Sequence, residues 1–184
     1  MESLVSFDHT ISHAIHLLPH PLFIDIIFNF FSLRGIFALV WLVVFLLFMK
    51  YHERDGKFSR LLFLSLLSTT ILVNFVMKNI VDRPRPLSLT PYIPSMADSI
   101  PFLFISKTYP SDYAFPSGHA SLAFCAAFIF SYFYKKNSIY FYSIATVIAF
   151  SRVYLGFHYV SDVFFGALFG LLIGWATVHY YDKV

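Results

Sequence analysis

The segment 151–162, SRVYLGFHYVSD, places an arginine, a histidine and an aspartate between two apolar stretches. His158 and Asp162 are four residues apart, so on a helix they would share one face. A carboxylate that accepts one imidazole N–H fixes the tautomer and aims the other ring nitrogen outward, as a histidine base or nucleophile requires. Arg152 adds a planar guanidinium that suits phosphate oxygens. A buried Asp–His pair that braces two helices is the simpler alternative.

A second group of residues that could do chemistry is FPSGHAS, residues 115–121. Pro116 and Ser117 predict a helix start, where unsatisfied backbone N–H groups form an anion site. Gly118 would let a ligand approach the backbone, and His119 could be a second catalytic imidazole. A serine cap followed by an interfacial histidine would leave the same pattern.

The third group is KNIVDRPRP, residues 78–86, which holds Lys78, Arg83 and Arg85. Three neighbouring cations at a membrane edge repel one another unless an anion lies among them; the alternative is that they reach to lipid headgroups. Taken together, the three groups supply cations, N–H donors, two histidines and an aspartate. That inventory suits phosphoryl transfer, in which positioning and charge neutralisation do most of the catalysis.

The composition predicts a bilayer environment for these groups. Hydrophobic residues make up 58% of the chain and charged residues 12%, against about 25% charged in a typical soluble domain. Mean hydropathy is +0.70. The apolar runs are long and continuous, which predicts an all-α, polytopic membrane helical bundle rather than a β-barrel. The net charge of +3 does not suggest nucleic acid, and Cys125 is interpreted as a small core residue.

Apolar runs predict five spans, and the N-terminal segment could form a sixth. The chain is interpreted as one membrane-embedded domain over 1–184, with N-terminal interfacial helices in 1–33 and a catalytic core in 61–184. If the charged segments 50–60 and 135–137 are cytoplasmic, the three polar groups all meet at the extracytoplasmic face of a cell membrane. The predicted spans are approximately 35–49, 61–78, 120–134, 139–153 and 160–179.

Three histidines near the N-terminus, His9, His13 and His16, fall on one face of a predicted helix. They could ligate a metal. The preferred interpretation is the polar face of an interfacial amphipathic helix, which Pro19 and Pro21 would end.

The three groups together resemble the signature of the type-2 phosphatidic acid phosphatase family, lipid phosphate phosphatases related to vanadium haloperoxidases. The first part is Lys78, six residues, then Arg85-Pro86; the second is Pro-Ser-Gly-His at 116–119. The third is Ser151-Arg152, five residues, His158, three residues, then Asp162. All three match in order, and with their spans they cover roughly residue 61 to the end.

The resemblance implies a role for each matching residue. His158 would attack phosphorus and form a phosphohistidine, and Asp162 would orient it. His119 would protonate the leaving oxygen and then help to activate water. The phosphate oxygens would be held by Lys78, Arg85, Ser117, Gly118 and Arg152. The resemblance also implies that the enzyme needs no metal or other cofactor and that vanadate inhibits it. Arg83 lies outside the signature, and it would add to the positive electrostatic potential of the site or bind a lipid headgroup.

The sequence constrains the identity of the substrate less than it constrains the type of reaction. A lipid phosphate or diphosphate whose tail stays in the bilayer is expected, and chain size favours a polyprenyl diphosphate such as undecaprenyl diphosphate. Phosphatidic acid, phosphatidylglycerol phosphate and lipid A are alternatives, as is transfer of the phosphate to another lipid or to a sugar. A non-catalytic lipid binder or transporter is disfavoured because both histidines are present.

Overall fold

The described part of the computed structural model, residues 2–32, 43, 46, 56–86 and 112–181, is built from helices joined by short connections. No strand occurs in these ranges, which confirms the all-helical prediction. Four of the predicted spans coincide with helices, whereas the 35–49 span and most of the 87–114 connection lie outside the described residues. The helices are α1 (Glu2–His16), α2 (Leu22–Ser32), α3 (Lys57–Val81), α4 (Gly118–Phe133), α5 (Ser138–Tyr154) and α6 (Val160–Tyr181).

The centre of the bundle is α4, which packs against α3, α5 and, most extensively, α6. Gly166, Gly170 and Gly174 recur every four residues on α6. A Cβ added at Gly170 would lie 2.1 Å from the Ser121 carbonyl oxygen, and one at Gly166 would lie 2.6 Å from the Ser117 carbonyl oxygen. The glycines therefore let the two backbones touch, as small residues do between membrane helices. This contact brings the N-terminal end of α6 against Ser117.

The apolar side chains divide into a buried core and an outward-facing set. Leu61 and Leu62 of α3, Ile129 and Phe130 of α4 and Val178 of α6 belong to one buried cluster. Large apolar side chains such as those of Phe75, Ile144, Phe164 and Trp175 are exposed on the outside of the bundle. Within the described ranges, α3 and α6 are long and apolar enough to cross a bilayer, and α4 is a shorter apolar helix. Exposed apolar surface of this kind is matched by lipid tails.

The third helix changes its winding before it reaches the polar end of the bundle. Thr70–Met77 forms a π-helical stretch, and Lys78–Val81 resumes α-helical winding. Asp82 ends the helix with a left-handed backbone (φ 55°), and prolines follow at 84 and 86. Wide turns of this type are frequent at functional sites. Here the wide turn immediately precedes Lys78.

The N-terminal helix packs onto the bundle, against α5 and α6. His16 is buried, and its Nδ1 donates a hydrogen bond to the Tyr154 carbonyl oxygen (2.8 Å). Both N-terminal helices occur where the sequence predicted them, and α1 ends before Pro19. No group of three or more histidine, cysteine or acidic side chains is arranged to hold a metal in the ranges that the structure describes.

Candidate active site

His158 lies in the turn between α5 and α6, and only 2% of its surface is exposed. Its Nδ1 is 2.8 Å from the Ala114 carbonyl oxygen, which can only accept, so Nδ1 carries the proton. Its Nε2 lies 3.2 Å from Nη1 of Arg85, a donor. Nε2 therefore holds the lone pair. The turn that presents this ring contains Gly156 at φ 72°, a left-handed conformation that favours glycine.

The surroundings of His158 favour its neutral form. Burial lowers the pKa of His158 well below its ordinary value of 6.5, and the cations Arg85, Lys78 and Arg152 lower it further. A neutral imidazole with a defined tautomer is what nucleophilic attack by Nε2 requires.

Asp162 does not make the hydrogen bond to His158 that the sequence predicted. Its Oδ2 lies 3.6 Å from Nδ1 of His158, beyond hydrogen-bonding distance, and accepts instead from the Tyr159 backbone N–H (2.8 Å). His158 precedes α6, so the two residues do not share a helical face, and Asp162 caps the first turn of α6. The carbonyl of Ala114 makes the hydrogen bond that sets the imidazole orientation.

Two of the predicted phosphate-binding cations converge on a carboxylate that the sequence analysis missed. Lys78 and Arg85 are both buried, and each forms an ion pair with Asp112, at 2.5 Å and 2.9 Å respectively. Nε of Arg85 also donates to the Asp112 carbonyl oxygen, and Nη1 donates to that of Phe157. One feature of the sequence indicated such a carboxylate: clustered cations repel one another unless an anion lies among them.

Arg152 is the third predicted cation of the site, and it is also buried. Its guanidinium lies 4.6 Å from the centre of the Phe157 ring, a cation–π contact. Its backbone carbonyl accepts hydrogen bonds from the N–H groups of Phe157 and His158. Arg152 thus shapes the turn that carries His158, and its positive charge lies close enough to lower the pKa of His158.

The Pro-Ser-Gly-His segment opens α4, as predicted. Ser117 is fully buried, and its backbone N–H donates to the Asp162 carbonyl oxygen (2.9 Å). Its hydroxyl does not cap α4, and Oγ has no hydrogen-bond partner among the described residues. A buried hydroxyl of this kind is costly unless a ligand satisfies it.

The next two residues of that segment also face the site. A Cβ at Gly118 would lie 2.3 Å from Oδ1 of Asn74, in the π-helical stretch of α3, so any side chain there would require Asn74 to move. His119 lies in the first turn of α4, and its charge is among those that influence His158. Asn74 carried no sequence signal that would have identified it.

Arg83 is held by protein groups on both sides of its guanidinium. Nη1 donates to Oδ1 of Asp162 and to Oγ of Ser161, and Nη2 donates to Oδ2 of Asp8, each at 2.7 Å. The guanidinium also lies 3.9 Å from the centre of the Tyr159 ring. In this structure Arg83 joins α1 to α6.

A cavity of about 430 Å³ borders this group of residues. Its walls come from α1, the end of α5 and the turn at 156–159, and they include His9, Ser12, His13, His158 and Tyr159. The cavity offers space beside His158 for part of a substrate.

The structure therefore brings the three polar groups of the sequence to one end of the bundle. A buried imidazole, whose Nε2 lone pair faces Arg85, lies among three cations and beside the N-terminus of α4. These features together are suited to phosphoryl transfer.

Comparison with known proteins agrees with this class of site. Residues 58–184 match the model of the PAP2 superfamily, and the chain belongs to that superfamily. It is 31% identical to phosphatidylglycerophosphatase B of Bacillus subtilis over 97% of this chain and 85% of that protein. It is 30% identical to an undecaprenyl-diphosphatase of Sulfolobus acidocaldarius over 59% of this chain and 52% of that protein.

A solved structure shares the fold. The transmembrane PAP2-type phosphatidylglycerolphosphate phosphatase of Bacillus subtilis superimposes with a TM-score of 0.74, covering 100% of this chain and 89% of that one at 23% identity. Family membership and fold confirm the resemblance seen in the sequence, and the protein is a membrane lipid phosphatase. The division into an N-terminal part and a catalytic core within one domain stays a prediction.

Proposed function

We propose that the protein hydrolyses a lipid phosphate or diphosphate through a phosphohistidine at His158. The observation that carries the proposal is the geometry of that imidazole. Nδ1–H is fixed on the Ala114 carbonyl, so the lone pair on Nε2 faces the cation Arg85. A phosphate drawn to Arg85 and Lys78 would present its phosphorus to Nε2.

In the first step, the lone pair of Nε2 forms a bond to phosphorus while the bond between phosphorus and the leaving oxygen breaks. His119 donates a proton to that oxygen, so the lipid leaves as a neutral alcohol or as a lipid phosphate. Lys78, Arg85 and Arg152 neutralise the charge that develops on the phosphoryl oxygens. Ser117 and the N–H of Gly118 donate hydrogen bonds to the same oxygens, and the buried Ser117 hydroxyl supports this role.

In the second step, water attacks the phosphohistidine. His119 now accepts a proton from the water, the P–N bond breaks, and its electron pair returns to Nε2. Inorganic phosphate leaves. Asp162 contributes by holding the backbone next to His158 and by placing a negative charge near the ring. The chemistry of this donor set needs no metal ion.

The relatives guide the choice of substrate. Phosphatidylglycerophosphatase B aligns along nearly the whole chain, so phosphatidylglycerol phosphate is one proposed substrate. The undecaprenyl-diphosphatase supports undecaprenyl diphosphate, which the sequence analysis favoured on chain size. We place the protein in the cell membrane with five spans, α1 and α2 outside them, and the active site on the extracytoplasmic side.

The proposal is tested by phosphate release from purified protein in mixed micelles. Phosphatidylglycerol phosphate, undecaprenyl diphosphate and phosphatidic acid are each offered with EDTA present. The His158→Ala variant should release none, whereas His179→Ala, a histidine change at the far end of α6, should behave as wild type. Vanadate should inhibit, because it adopts the geometry of the transition state. No release from any of the three lipids by folded protein would contradict the proposal, as would dependence on a metal.

A further inference from the structure

The N-terminal helix supplies hydrogen-bond acceptors to the first turn of α6. Oδ1 of Asp8 accepts from the Ser161 backbone N–H (3.0 Å), and Oγ of Ser12 accepts from the Val160 N–H (2.9 Å). The first N–H groups of a helix have no partner within it, so they need acceptors from elsewhere. For α6 these acceptors come from residues about 150 positions earlier in the chain.

These bonds extend a run of fixed backbone that begins beside His158. The Tyr159 N–H donates to Asp162, the Val160 N–H to Ser12 and the Ser161 N–H to Asp8. Three consecutive peptide groups are thus each held by a side chain. Two of the three acceptors belong to α1, outside the region that matches the family model.

A second connection runs through side chains. Oδ2 of Asp8 accepts from the Ser161 hydroxyl and from Nη2 of Arg83, and Nη1 of Arg83 donates to Oδ1 of Asp162. Asp162 is fully buried, and the side chains of Arg83 and Asp8 are only 20% and 13% exposed. Hydrogen bonds between ionised groups in such surroundings are strong and directional. Asp8 therefore fixes the guanidinium that fixes Asp162.

The charge on Asp8 is suited to this arrangement. Burial alone would raise the pKa of Asp8, but the hydrogen bonds from Ser161 and Arg83 outweigh it and hold the pKa below its ordinary value. Asp8 is thus a carboxylate at neutral pH.

We propose that Asp8 is a positioning residue of the phosphatase reaction, acting through Ser161 and Arg83 on Asp162 and on the backbone that carries His158. The proposal rests on the proposed function, because it needs His158 as the reacting group. In Asp8→Asn, Arg83 would face one carboxylate in place of two. One of the two Asp8 oxygens that accept from Ser161 and Arg83 would become an amide NH2, which donates and cannot accept. The imidazole would then be aimed less accurately at phosphorus.

The test compares steady-state kinetics of wild type, Asp8→Asn, Arg83→Lys and the double variant on the lipid that wild type hydrolyses. Asp8→Asn should lower kcat by about ten- to a hundredfold, since small misplacements of reacting groups have effects of this order. KM should change by less than about threefold. The double variant should be no slower than the slower single variant, because both changes interrupt one connection.

Rates are expressed per active site, counted from the phosphoenzyme formed in one turnover, so that loss of folded protein is not mistaken for loss of rate. The matched control is Asp82→Asn, the same chemical change at the residue next to Arg83; Asp82 is exposed and the kinetics should stay as in wild type. If Asp8→Asn does not fold, Ser161→Ala removes one donor to Asp8 and should lower kcat in the same direction.

The outcomes separate the two proposals. A wild-type protein that releases no phosphate contradicts the proposed function. An active wild type with an equally fast Asp8→Asn variant overturns the positioning role alone, as do losses that multiply in the double variant. An unchanged rate per active site together with a lower melting temperature would show that Asp8 only stabilises the fold.

Discussion

At the scale of the residue, the site depends on one imidazole that is buried, neutral and fixed in one tautomer. The Ala114 carbonyl takes the role that the spacing of His158 and Asp162 suggested for the aspartate. Asp162 acts on the neighbouring backbone and on Arg83. The predicted result, an imidazole with Nε2 directed toward the phosphate site, is therefore obtained with a main-chain carbonyl as the acceptor in place of the aspartate.

The protonation state of His158 can be measured directly. Because burial and neighbouring cations lower its pKa, His158 should remain neutral, with its proton on Nδ1, at pH 6.5, where an ordinary histidine is half protonated. Two-dimensional NMR of protein with ¹⁵N-labelled histidine reports both charge and tautomer. A His158→Gln sample assigns the signal. Titration of that signal at or above pH 6.5 would show that the surroundings do not lower the pKa.

Asp112 should compete with substrate for the cations that bind phosphate. Its carboxylate forms ion pairs with both Lys78 and Arg85, so an incoming phosphate must take over these contacts. Asp112→Asn should therefore bind inorganic phosphate more tightly, by roughly fivefold if about 1 kcal/mol of competing attraction is removed. Product inhibition of the hydrolysis measures this binding, with Asp82→Asn as the control. Weaker inhibition in Asp112→Asn would show that the carboxylate helps to build the phosphate site.

The signature residues of the site could be predicted from the sequence because their spacing is fixed. Their partners could not. Asp112 lies 34 residues after Lys78, Asn74 lies 44 residues before Gly118, and Asp8 lies 75 residues before Arg83. Such pairs are set by the packing of separate helices, which no local pattern encodes. Without the fold, Arg83 could be described only as an extra cation.

At the scale of the element, the close contact of α4 and α6 places Ser117 beside Asp162. It depends on glycines that face backbone atoms. The apolar runs of the sequence predicted where these helices lie. The glycine contact could not be predicted, because glycines at a spacing of four also occur in apolar helices that make no such contact.

The glycines of α6 should differ in their tolerance of a methyl group. A Cβ at Gly170 would meet the Ser121 carbonyl oxygen at 2.1 Å, whereas one at Gly174 would meet the Phe128 ring at 3.1 Å, which can move. Gly170→Ala should thus lower the free energy of unfolding by about 1–3 kcal/mol. Gly174→Ala should have a smaller effect, since alanine also favours the helix. Melting temperatures in detergent measure both variants, and equal stability would argue against backbone contact at Gly170.

At the scale of the whole molecule, the polar site lies at one end of a bundle whose outer surface is apolar. A lipid tail can stay in the bilayer while its phosphate reaches His158 at that end. The positive charges of 50–60 and 135–137 lie in the sequence at the opposite ends of the neighbouring helices, which predicts that the site is extracytoplasmic.

This orientation can be tested with single cysteines in a Cys125→Ser background. Tyr113 is exposed at the site end, and Asn137 is exposed in the turn between α4 and α5. A membrane-impermeant thiol reagent should label Tyr113→Cys in intact cells and should label Asn137→Cys only after the cells are opened. The reverse pattern would place the active site on the cytoplasmic side.

The central claim is that His158 carries the phosphoryl group during turnover. The most direct measurement mixes purified protein with lipid labelled in its terminal phosphate, quenches the reaction in alkali within one turnover, and locates the label by peptide mass spectrometry. Phosphate should appear on His158, should be absent from His158→Ala and should form as fast as the lipid is consumed. Label on any other residue, or continued turnover in His158→Ala, would contradict it.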